Sequence, residues 1–288
     1  MSQSLANDLA IAFDPPRLAL RAGLNALDAW QADVLRGQYS RLLLNVHRQA
    51  GKSTIVALRA LHQVLFQPSS LVLLFSPSLR QSRELFRKCI DQYQTIGRPI
   101  APLVDNKLEI ELQNRSRIVS LPGTEATTRG FSAPDLVIVD EAARVPAALI
   151  EAVLPMLAIS EGSLVLLSTP YGRRGFFYDA WSGRGDWRKV KRVASECHRI
   201  APSFLAEQKL LIDPLKFQQE YEGEFSNIAG QYFDEQTILT MFREGNPDTE
   251  DGDPYGSLDA LFGKAATEPV VNPGAPGESM QAPMWSKL

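Results

Sequence analysis

The stretch LLLNVHRQAGKSTIVAL, residues 42–58, decides the fold. An apolar run ends at a polar turn, and the residues GKST at 51–54 then lead into a segment with helical apolar spacing. A phosphate-binding loop follows the pattern G-x-x-x-x-G-K-[ST], which would place its first glycine at position 46. This chain has Val46 there, so the match is partial. The stretch therefore predicts either a variant phosphate loop or a chance GKST that opens an ordinary helix.

Composition indicates an ordinary globular protein. The chain has 288 residues, of which 44% are hydrophobic and 22% charged, enough for one large domain or two modest ones. Its apolar runs are far shorter than the roughly 18 residues of a membrane helix, and we expect no secretion signal at the N-terminus. Cys89 and Cys197 belong to no CxxC pair, which favours a reduced cytosolic setting without a zinc site.

Charge is distributed unevenly along the chain. The net charge is −3, but residues 244–288 hold eight acidic residues and two lysines, which leaves +3 on the rest of the chain. The region from about 246 onward is rich in Pro, Gly and acids, and we expect it to be mostly disordered. The balance of the remainder allows a local basic surface.

Strand and helix patterns alternate between residues 17 and 243. Several strand candidates are continuous apolar runs, as expected for strands buried on both faces of a mainly parallel sheet. They lie at 41–47, 71–76, 108–112, 117–121, 136–140, 163–168 and 187–194. Helical patterns occupy about 54–66, 79–95, 146–158 and 203–223. A polar turn at 113–116 predicts a hairpin. This order predicts an α/β fold with its ligand site beyond the carboxyl ends of the strands.

A phosphate loop needs a strand, small residues and a helix N-terminus, and the stretch supplies all three. The run 42–46 delivers the chain, Gly51 permits close approach, and a helix starts near residue 54. Lys52 would hold the β- and γ-phosphates of ATP, and Ser53 would ligate Mg²⁺. Because the first glycine is missing, another residue must make the entry turn.

Two later stretches favour the phosphate-loop interpretation. PDLVIVDEAARV, at 134–145, is a buried strand that ends in adjacent acids: Asp140 would hold the magnesium water shell and Glu141 would polarise the attacking water. SLVLLSTPYG, at 163–172, is a third strand that ends in Ser168, Thr169 and Pro170, and a hydroxyl there would sense the γ-phosphate. Alone, the first is also read as a strand with a capping acid and the second as a plain turn. Their order along the chain argues against coincidence.

These stretches resemble the ATPase domain of a large terminase subunit, the motor that drives double-stranded DNA into phage capsids. In that family the loop lacks the first glycine and carries an arginine before its centre, as HRQAGKST at 47–54 does. The resemblance covers about residues 24–235. Its other motifs are LDAWQADVL, FSPSLRQSRELFRK, TRGFSAPDLVIVDEAA, LLSTPYG, which matches the family's coupling motif, and FQQEYEGEF.

The resemblance implies a fold and a domain plan. The fold would be an α/β P-loop NTPase whose RecA-like, mainly parallel sheet has an additional strand, flanking helices and a catalytic glutamate. Residues 1–23 would form an N-terminal extension, 24–235 the ATPase domain with a lid or linker subregion at about 172–235, and 236–288 the acidic tail. The family's C-terminal nuclease domain is expected to be absent, because the tail's acids follow no apolar strands.

The resemblance also implies roles for single residues. Gln31 would read the adenine with Trp30 nearby, although core packing explains Trp30 equally well. Arg48 would contact the γ-phosphate, and Thr169 would link hydrolysis to movement. The expected nucleotide-binding loop runs through Arg48, Gln49, Ala50, Gly51, Lys52, Ser53 and Thr54, and the expected magnesium ligands are Ser53 and Asp140.

Arg129 lies in the loop ahead of the acidic strand. In the family such an arginine reaches the nucleotide of a neighbouring subunit as an arginine finger, an effect worth ~10³–10⁵ in rate where it occurs. A solvated or DNA-facing arginine explains the same residue, and the sequence leaves both alternatives open.

Two basic stretches are candidates for DNA contact. The segment 173–192 has seven basic residues against two acids, which would give salt-sensitive and sequence-indifferent binding. Its basic residues are Arg173, Arg174, Arg184, Arg188, Lys189, Lys191 and Arg192. Its aromatic residues would stack on bases or pack along a helix face. The helix at 79–95 adds Arg80, Arg83, Arg87 and Lys88, which would face DNA, a neighbouring subunit or solvent.

The implied function is ATP hydrolysis that drives viral double-stranded DNA into procapsids. The implied partners are the portal protein and procapsid, the small terminase subunit, and further copies of the chain in a homo-oligomeric ring, a pentamer by resemblance. The setting would be the cytoplasm of an infected or lysogenic bacterial host, without membrane association. Two alternatives stay open: a helicase-like DNA ATPase, and a non-hydrolysing prophage remnant or assembly scaffold.

Overall fold

The structure, a computed structural model, describes residues 3–128, 130–183 and 185–226. All of these lie in the first of two compact units, Met1–Gln231. The predicted α/β class is confirmed, because within the described residues eight strands form one sheet with helices on both faces. The expected tail at 236–288 lies outside the described residues.

The strands follow the predicted order with one addition. They are β1 (Arg41–Val46), β2 (Leu71–Ser76), β3 (Pro102–Asp105), β4 (Glu109–Leu112), β5 (Arg117–Pro122), β6 (Leu136–Asp140), β7 (Ser163–Ser168) and β8 (Arg188–Arg192). The order across the sheet is β3-β4-β5-β2-β6-β7-β1-β8. From β5 to β8 all neighbours are parallel, whereas β3, β4 and β5 pair antiparallel. The predicted β4–β5 hairpin is confirmed, and β3 was not predicted.

The helices of the structure outnumber those predicted. They are α1 (Gln3–Phe13), α2 (Pro16–Arg21), α3 (Ala29–Arg36), α4 (Lys52–Phe66), α5 (Leu79–Thr95), α6 (Ala147–Ser160), α7 (Phe176–Ser182), α8 (Pro202–Leu211) and α9 (Pro214–Phe217). Short 3₁₀ turns lie at Glu125–Thr128, Ala142–Arg144 and Ala194–Glu196, and a π-helix lies at Gln218–Glu222. Among the helices described, none is long and apolar enough to cross a membrane.

The central strands β1, β2, β6 and β7 bury both faces, as their apolar runs predict. In β1, Leu42 and Leu44 pack in the cluster that contains residues of α3, α4 and α5, whereas Leu43 packs in the cluster that contains residues of α6 and α7. Successive side chains of a strand point to opposite faces, so a continuous run serves two cores. Leu18 and Ala19 of α2, within the expected N-terminal extension, are buried in the first cluster.

One predicted helix is wrong in its extent. The expected helix 203–223 ends at Leu211 and resumes as α9 and the π-helix. Pro214 excludes the helical conformation at the residue before it, and Asp213 is extended there, with ψ 134°. The Asp213 carboxylate then accepts hydrogen bonds from the N–H groups of Leu215 and Lys216, which starts the next helix.

Candidate active site

Three neighbouring parallel strands, β6, β7 and β1, end at the same edge of the sheet. The loop 47–51 follows β1, Glu141 follows β6, and Thr169 follows β7. The predicted ligand edge of the sheet therefore carries the three motifs that the sequence analysis singled out.

The entry turn of the loop 47–51 needs no glycine at position 46. Val46 ends β1 in an extended backbone conformation, and the positive φ angles of the loop occur at Gln49 (63°) and Gly51 (85°). His47 holds the entry: its N–H donates to the Arg192 carbonyl at 3.1 Å, and its Nδ1 lies 2.7 Å from the Arg48 carbonyl. His47 was not predicted as a site residue. Its burial lowers its pKa, which favours the neutral form of the imidazole.

Gln31 is placed on the loop, as the motif on α3 suggested. Its side chain is buried, and its Nε2 donates to the Ala50 carbonyl at 3.0 Å while its Oε1 accepts from the Asp28 N–H at 3.0 Å. A Cβ at Gly51 would lie 3.2 Å from Gln31 Nε2, so this close approach adds to the preference for glycine that the positive φ sets. After these two hydrogen bonds the Gln31 carboxamide keeps one N–H and one lone pair for a ligand. Adenine recognition by Gln31 stays a prediction.

Lys52 and Ser53 open α4, directly after Gly51. The Lys52 side chain is buried at the helix N-terminus, where the helix dipole and free N–H groups favour an anion. Ser53 Oγ donates to Asp140 Oδ2 at 3.1 Å, which joins the loop to the end of β6. Thr54 is held on the other side, because its carbonyl accepts from Gln92 Nε2 at 3.1 Å. The structure thus brings the predicted loop and Asp140 together.

The electrostatics of Asp140 reflect its position. Burial and the adjacent Glu141 carboxylate raise the pKa of Asp140, and Lys52 together with the hydrogen bond from Ser53 opposes that rise. A second cation near the carboxylate would favour its ionised form. Hydroxyl and carboxylate oxygens 3.1 Å apart are the hard donors that Mg²⁺ takes from proteins, so the residues fit the predicted metal.

Glu141 has an unusual backbone conformation. Its φ and ψ are 52° and 41°, the left-handed region, which costs a residue with a Cβ about 1–2 kcal/mol. Its N–H donates to Asp140 Oδ1 at 2.9 Å, and its Oε2 accepts from Arg144 at 2.7 Å. Backbone strain of this kind concentrates at functional sites.

Arg48 extends from the loop toward the last described segment. Its Nε donates to Glu220 Oε2 at 2.6 Å, and its side chain is 62% exposed. Contact between Arg48 and a γ-phosphate stays a prediction, as do the roles of Gln49 and Ala50 as nucleotide-binding residues.

Unpaired buried polar atoms mark the same edge of the sheet. Thr169 is 1% exposed, and its Oγ1 has no hydrogen-bond partner among the described residues. The same holds, within the described ranges, for Asn45 Oδ1 on β1 and Ser76 Oγ at the end of β2. Buried polar atoms normally find partners, so this edge is polar and incompletely satisfied. The predicted coupling role of Thr169 stays a prediction.

A cavity of about 380 Å³ adjoins the loop. Trp30 of α3, His47 of the loop, Cys197 and His198 are among the residues that line it. Trp30 is 6% exposed and belongs to the core cluster, so it packs as well as lines the cavity.

The basic segment 173–192 is largely engaged within the molecule. Arg188 pairs with Asp33 at 2.9 Å, and Lys189 Nζ donates to two carbonyl oxygens. Its aromatic residues pack rather than project: Phe177 is 1% exposed, and Phe225 lies among the rings of α7. The alternative of helix-face packing is supported for this group.

Two predicted residues cannot be located. Arg129, the candidate arginine finger, and Arg184, of the basic segment, lie outside the described residues. On α5, Arg80, Arg83 and Arg87 are exposed, and Arg87 pairs with Glu84 at 2.6 Å.

Sequence reasoning missed four residues that shape the site. The sequence contains one indication of Asn45, because it is a polar residue inside the apolar run 42–46. The sequence contains no such indication of Arg144 or Glu220, because the fold determines which residues become their ion-pair partners. His47 directly precedes the expected loop, and its residue type alone indicated no role in the site.

Comparison with known proteins agrees with this geometry. Residues 44–240 match the family described as "Terminase large subunit, T4likevirus-type, N-terminal". Large terminase subunits of Thermus virus P23-45 and Thermus phage G20c are each 26% identical over 247 residues, which cover 73% of this chain and 51% of theirs. The chain thus spans about half the length of the curated relatives it matches.

Solved structures show the same fold. The ATPase domain of the Thermus phage P74-26 large terminase aligns with a TM-score of 0.63 at 20% identity, over 72% of this chain and 97% of that domain. The HK97 bacteriophage large terminase aligns with a TM-score of 0.57 at 15% identity, over 69% and 51%. The family match extends over more than half of the chain. The chain therefore belongs to the T4-like family of terminase large subunits, and the matched part is the N-terminal region of that family.

Proposed function

We propose that this chain is an ATP-hydrolysing motor subunit that packages viral double-stranded DNA into procapsids. One observation carries the proposal: Ser53 Oγ lies 3.1 Å from Asp140 Oδ2, so the phosphate loop and the acidic strand end meet, with Glu141 next in the chain. The large terminase of a thermophilic bacteriophage, a 10% identical protein with a TM-score of 0.57 over 69% of this chain, was solved in complex with ADP. That agrees with nucleotide binding by this chain.

The mechanism assigns a task to each side chain. The N–H groups at the start of α4 and the Lys52 ammonium bind the phosphates, and Arg48 stabilises charge that develops on the γ-phosphoryl oxygens. Glu141 orients the attacking water and accepts its proton. Gln31 and the cavity beside Trp30 receive the adenine.

Ser53 and Asp140 would hold Mg²⁺, and the chemistry that the ion supplies when bound is neutralisation of phosphate charge. Asp140 must then be ionised, which the Lys52 ammonium and the Ser53 hydroxyl favour against the effect of burial. Thr169 would transmit the state of the γ-phosphate to the 172–235 region, the proposed lid.

The proposed assembly is a ring of copies on the portal of a procapsid, with the small terminase subunit and double-stranded DNA as further partners. Arg129 is the proposed trans finger at the subunit boundary. No DNA cleavage is assigned to the described residues, and the acidic tail has no proposed role.

The test is the rate of ATP hydrolysis against protein concentration, with and without linear duplex DNA. Wild type is compared with Glu141→Gln, which keeps the side-chain shape, and with Glu151→Gln, an exposed acid on α6, as the matched control. We expect a rate that rises faster than linearly with concentration and that only Glu141→Gln abolishes. ATP binding without hydrolysis by the wild type would refute the proposal in favour of the scaffold or remnant alternative.

The trans finger has its own test. Arg129→Ala subunits mixed with Glu141→Gln subunits should recover activity, because mixed boundaries contain one intact Arg129 and one intact Glu141. A flat rate per subunit together with a silent Arg129→Ala would remove the finger but leave the ATPase proposal.

A further inference from the structure

A carboxylate from the last described segment lies between two arginines of the site. Glu220, on the π-helix, accepts from Arg48 Nε at 2.6 Å through Oε2, and its Oε1 lies 3.8 Å from Arg144 Nη2. The Glu220 side chain is only 14% exposed. Because this carboxylate is mostly shielded from solvent, its charge interacts with the two guanidinium groups more strongly than it would on an open surface.

Arg144 continues the row toward Glu141. Its Nη1 donates to Glu141 Oε2 at 2.7 Å, and its guanidinium lies 4.8 Å from the centroid of the Tyr171 ring, two residues after Thr169. Its side chain is 27% exposed. Arg144 therefore contacts the water-orienting glutamate, the segment after β7 and the π-helix carboxylate.

The signs of the charges alternate along the row Arg48, Glu220, Arg144 and Glu141. The two outer residues are those that the proposed mechanism uses at the γ-phosphate and at the water. The two inner residues have no task in that mechanism, yet each holds one outer residue by a charged hydrogen bond, of 2.6 Å and 2.7 Å respectively.

We propose that Glu220 and Arg144 are positioning residues for hydrolysis, Glu220 acting on the guanidinium of Arg48 and Arg144 on the carboxylate of Glu141. This inference rests on the proposed ATPase function. A guanidinium has five N–H donors. Because Glu220 takes the Nε–H of Arg48, both terminal nitrogens are left for phosphate oxygens. Without Glu220, the largely exposed Arg48 side chain would sample many rotamers, and ordering it at the phosphate would cost entropy.

The backbone supports the placement of Glu220. The Arg48 N–H lies 3.4 Å from the Glu220 carbonyl, and Asn45 Nδ2 donates to the Gly223 carbonyl at 2.8 Å. The π-helix is itself a rare geometry that recurs at functional sites. Both ties reach the end of β1 or the loop after it, so Glu220 is fixed relative to the phosphate loop.

The experiment measures kcat and KM for ATP hydrolysis by Glu220→Gln. The matched control is Glu222→Gln, which removes the same charge from the same π-helix and touches neither arginine in the described contacts. We expect kcat to fall about 10- to 100-fold for Glu220→Gln, with a smaller change in KM, and the control to match wild type. Thermal unfolding midpoints of both variants should agree with wild type.

A double-mutant cycle separates positioning from a structural role. In an Arg48→Ala background, Glu220→Gln should lower kcat further by less than about threefold, because its effect passes through that arginine. Full additivity, or equal kcat for Glu220→Gln and Glu222→Gln, would overturn the inference while wild-type hydrolysis keeps the proposed function. Absence of hydrolysis by the wild type would overturn both.

Discussion

Two regions of the molecule meet at the phosphate loop, and they are held in different ways. In the first, β1 and α4, nine of the fifteen helix residues are buried and five of the six strand residues are. In the second, residues 213–225, only Phe217 and Gly223 are buried. The first region (the packed region) is fixed by apolar packing on both faces of the sheet. The second (the polar region) combines the apolar contacts of Phe217 and Phe225 with polar contacts to β1 and the loop after it.

The difference indicates which part of the site is rigid and which part depends on the charge of a bound nucleotide. Apolar packing does not change when a nucleotide enters, so β1 and α4 keep the loop in one geometry. A polar attachment such as Arg48 with Glu220 depends on the local charge, which a triphosphate alters. We therefore expect the second region to be the part of the site that responds to the nucleotide.

The largest expected effect tests the packed region. Leu43 is fully buried, and Leu43→Ala should lower the free energy of unfolding by about 2–5 kcal/mol because it leaves a cavity between β1 and α6. Leu210→Ala, at a side chain 88% exposed on α8, should stay within about 0.5 kcal/mol. Urea unfolding measures both, and a loss below about 1 kcal/mol for Leu43→Ala would contradict the comparison.

Next in size is an effect on chemistry rather than stability. Lys52→Ala should lower kcat for ATP hydrolysis by about 10²–10³, because a preorganised cation at the phosphates is lost. Lys107→Ala, an exposed lysine in the turn before β4, serves as the control. Kinetics and thermal unfolding are measured together, and a kcat near that of wild type would remove Lys52 from the mechanism.

A smaller effect should be confined to the second region. Gly223→Ala places a Cβ 3.0 Å from Asn45 Oδ1 at φ 66°, so the segment should partly detach from β1. Gly97→Ala has similar backbone strain at φ 85°, but nothing lies within 4 Å of its Cβ. We expect faster amide hydrogen exchange at 217–226 only for Gly223→Ala. Equal exchange in both variants would show that the contact with Asn45 does not hold the segment.

The smallest expected effect concerns pH and the packed region again. Burial lowers the pKa of His62 on α4, so the unfolded chain binds the proton more readily than the folded one. The free energy of unfolding should therefore fall as the pH drops through and below about 6.5, with a slope of at most one proton from this residue. Urea unfolding at pH 8.0 and 5.5 should show a shallower loss for His62→Gln. An unchanged loss would assign the dependence elsewhere.

The packed region is also the part that the sequence predicts well. β2, β6 and β7 match their predicted bounds and β1 differs by one residue, because apolar runs buried on both faces leave little choice. The meeting of Ser53 with Asp140 follows from parallel strands that end at one edge. Both inferences need only local pattern and the geometry of a parallel sheet.

The contacts of the polar region were not predicted, for a physical reason. Glu220 and Arg48 lie 172 residues apart, and nothing local in FQQEYEGEF indicates that one of its acids meets an arginine of the loop. The expected helix 203–223 also concealed the break at Pro214 that allows the segment to turn. The short helix α3 was missed because eight residues of mixed polarity give a weak periodic signal.

The left-handed backbone at Glu141 has a consequence for the history of such genes. Glycine and asparagine adopt that conformation more readily than glutamate, so replacing Glu141 by either should relieve backbone strain, and in the proposed mechanism it would remove the water-orienting carboxylate. Selection for folding alone thus opposes the residue, and only selection for turnover retains it. In a lineage that no longer packages DNA, position 141 should be among the first to drift.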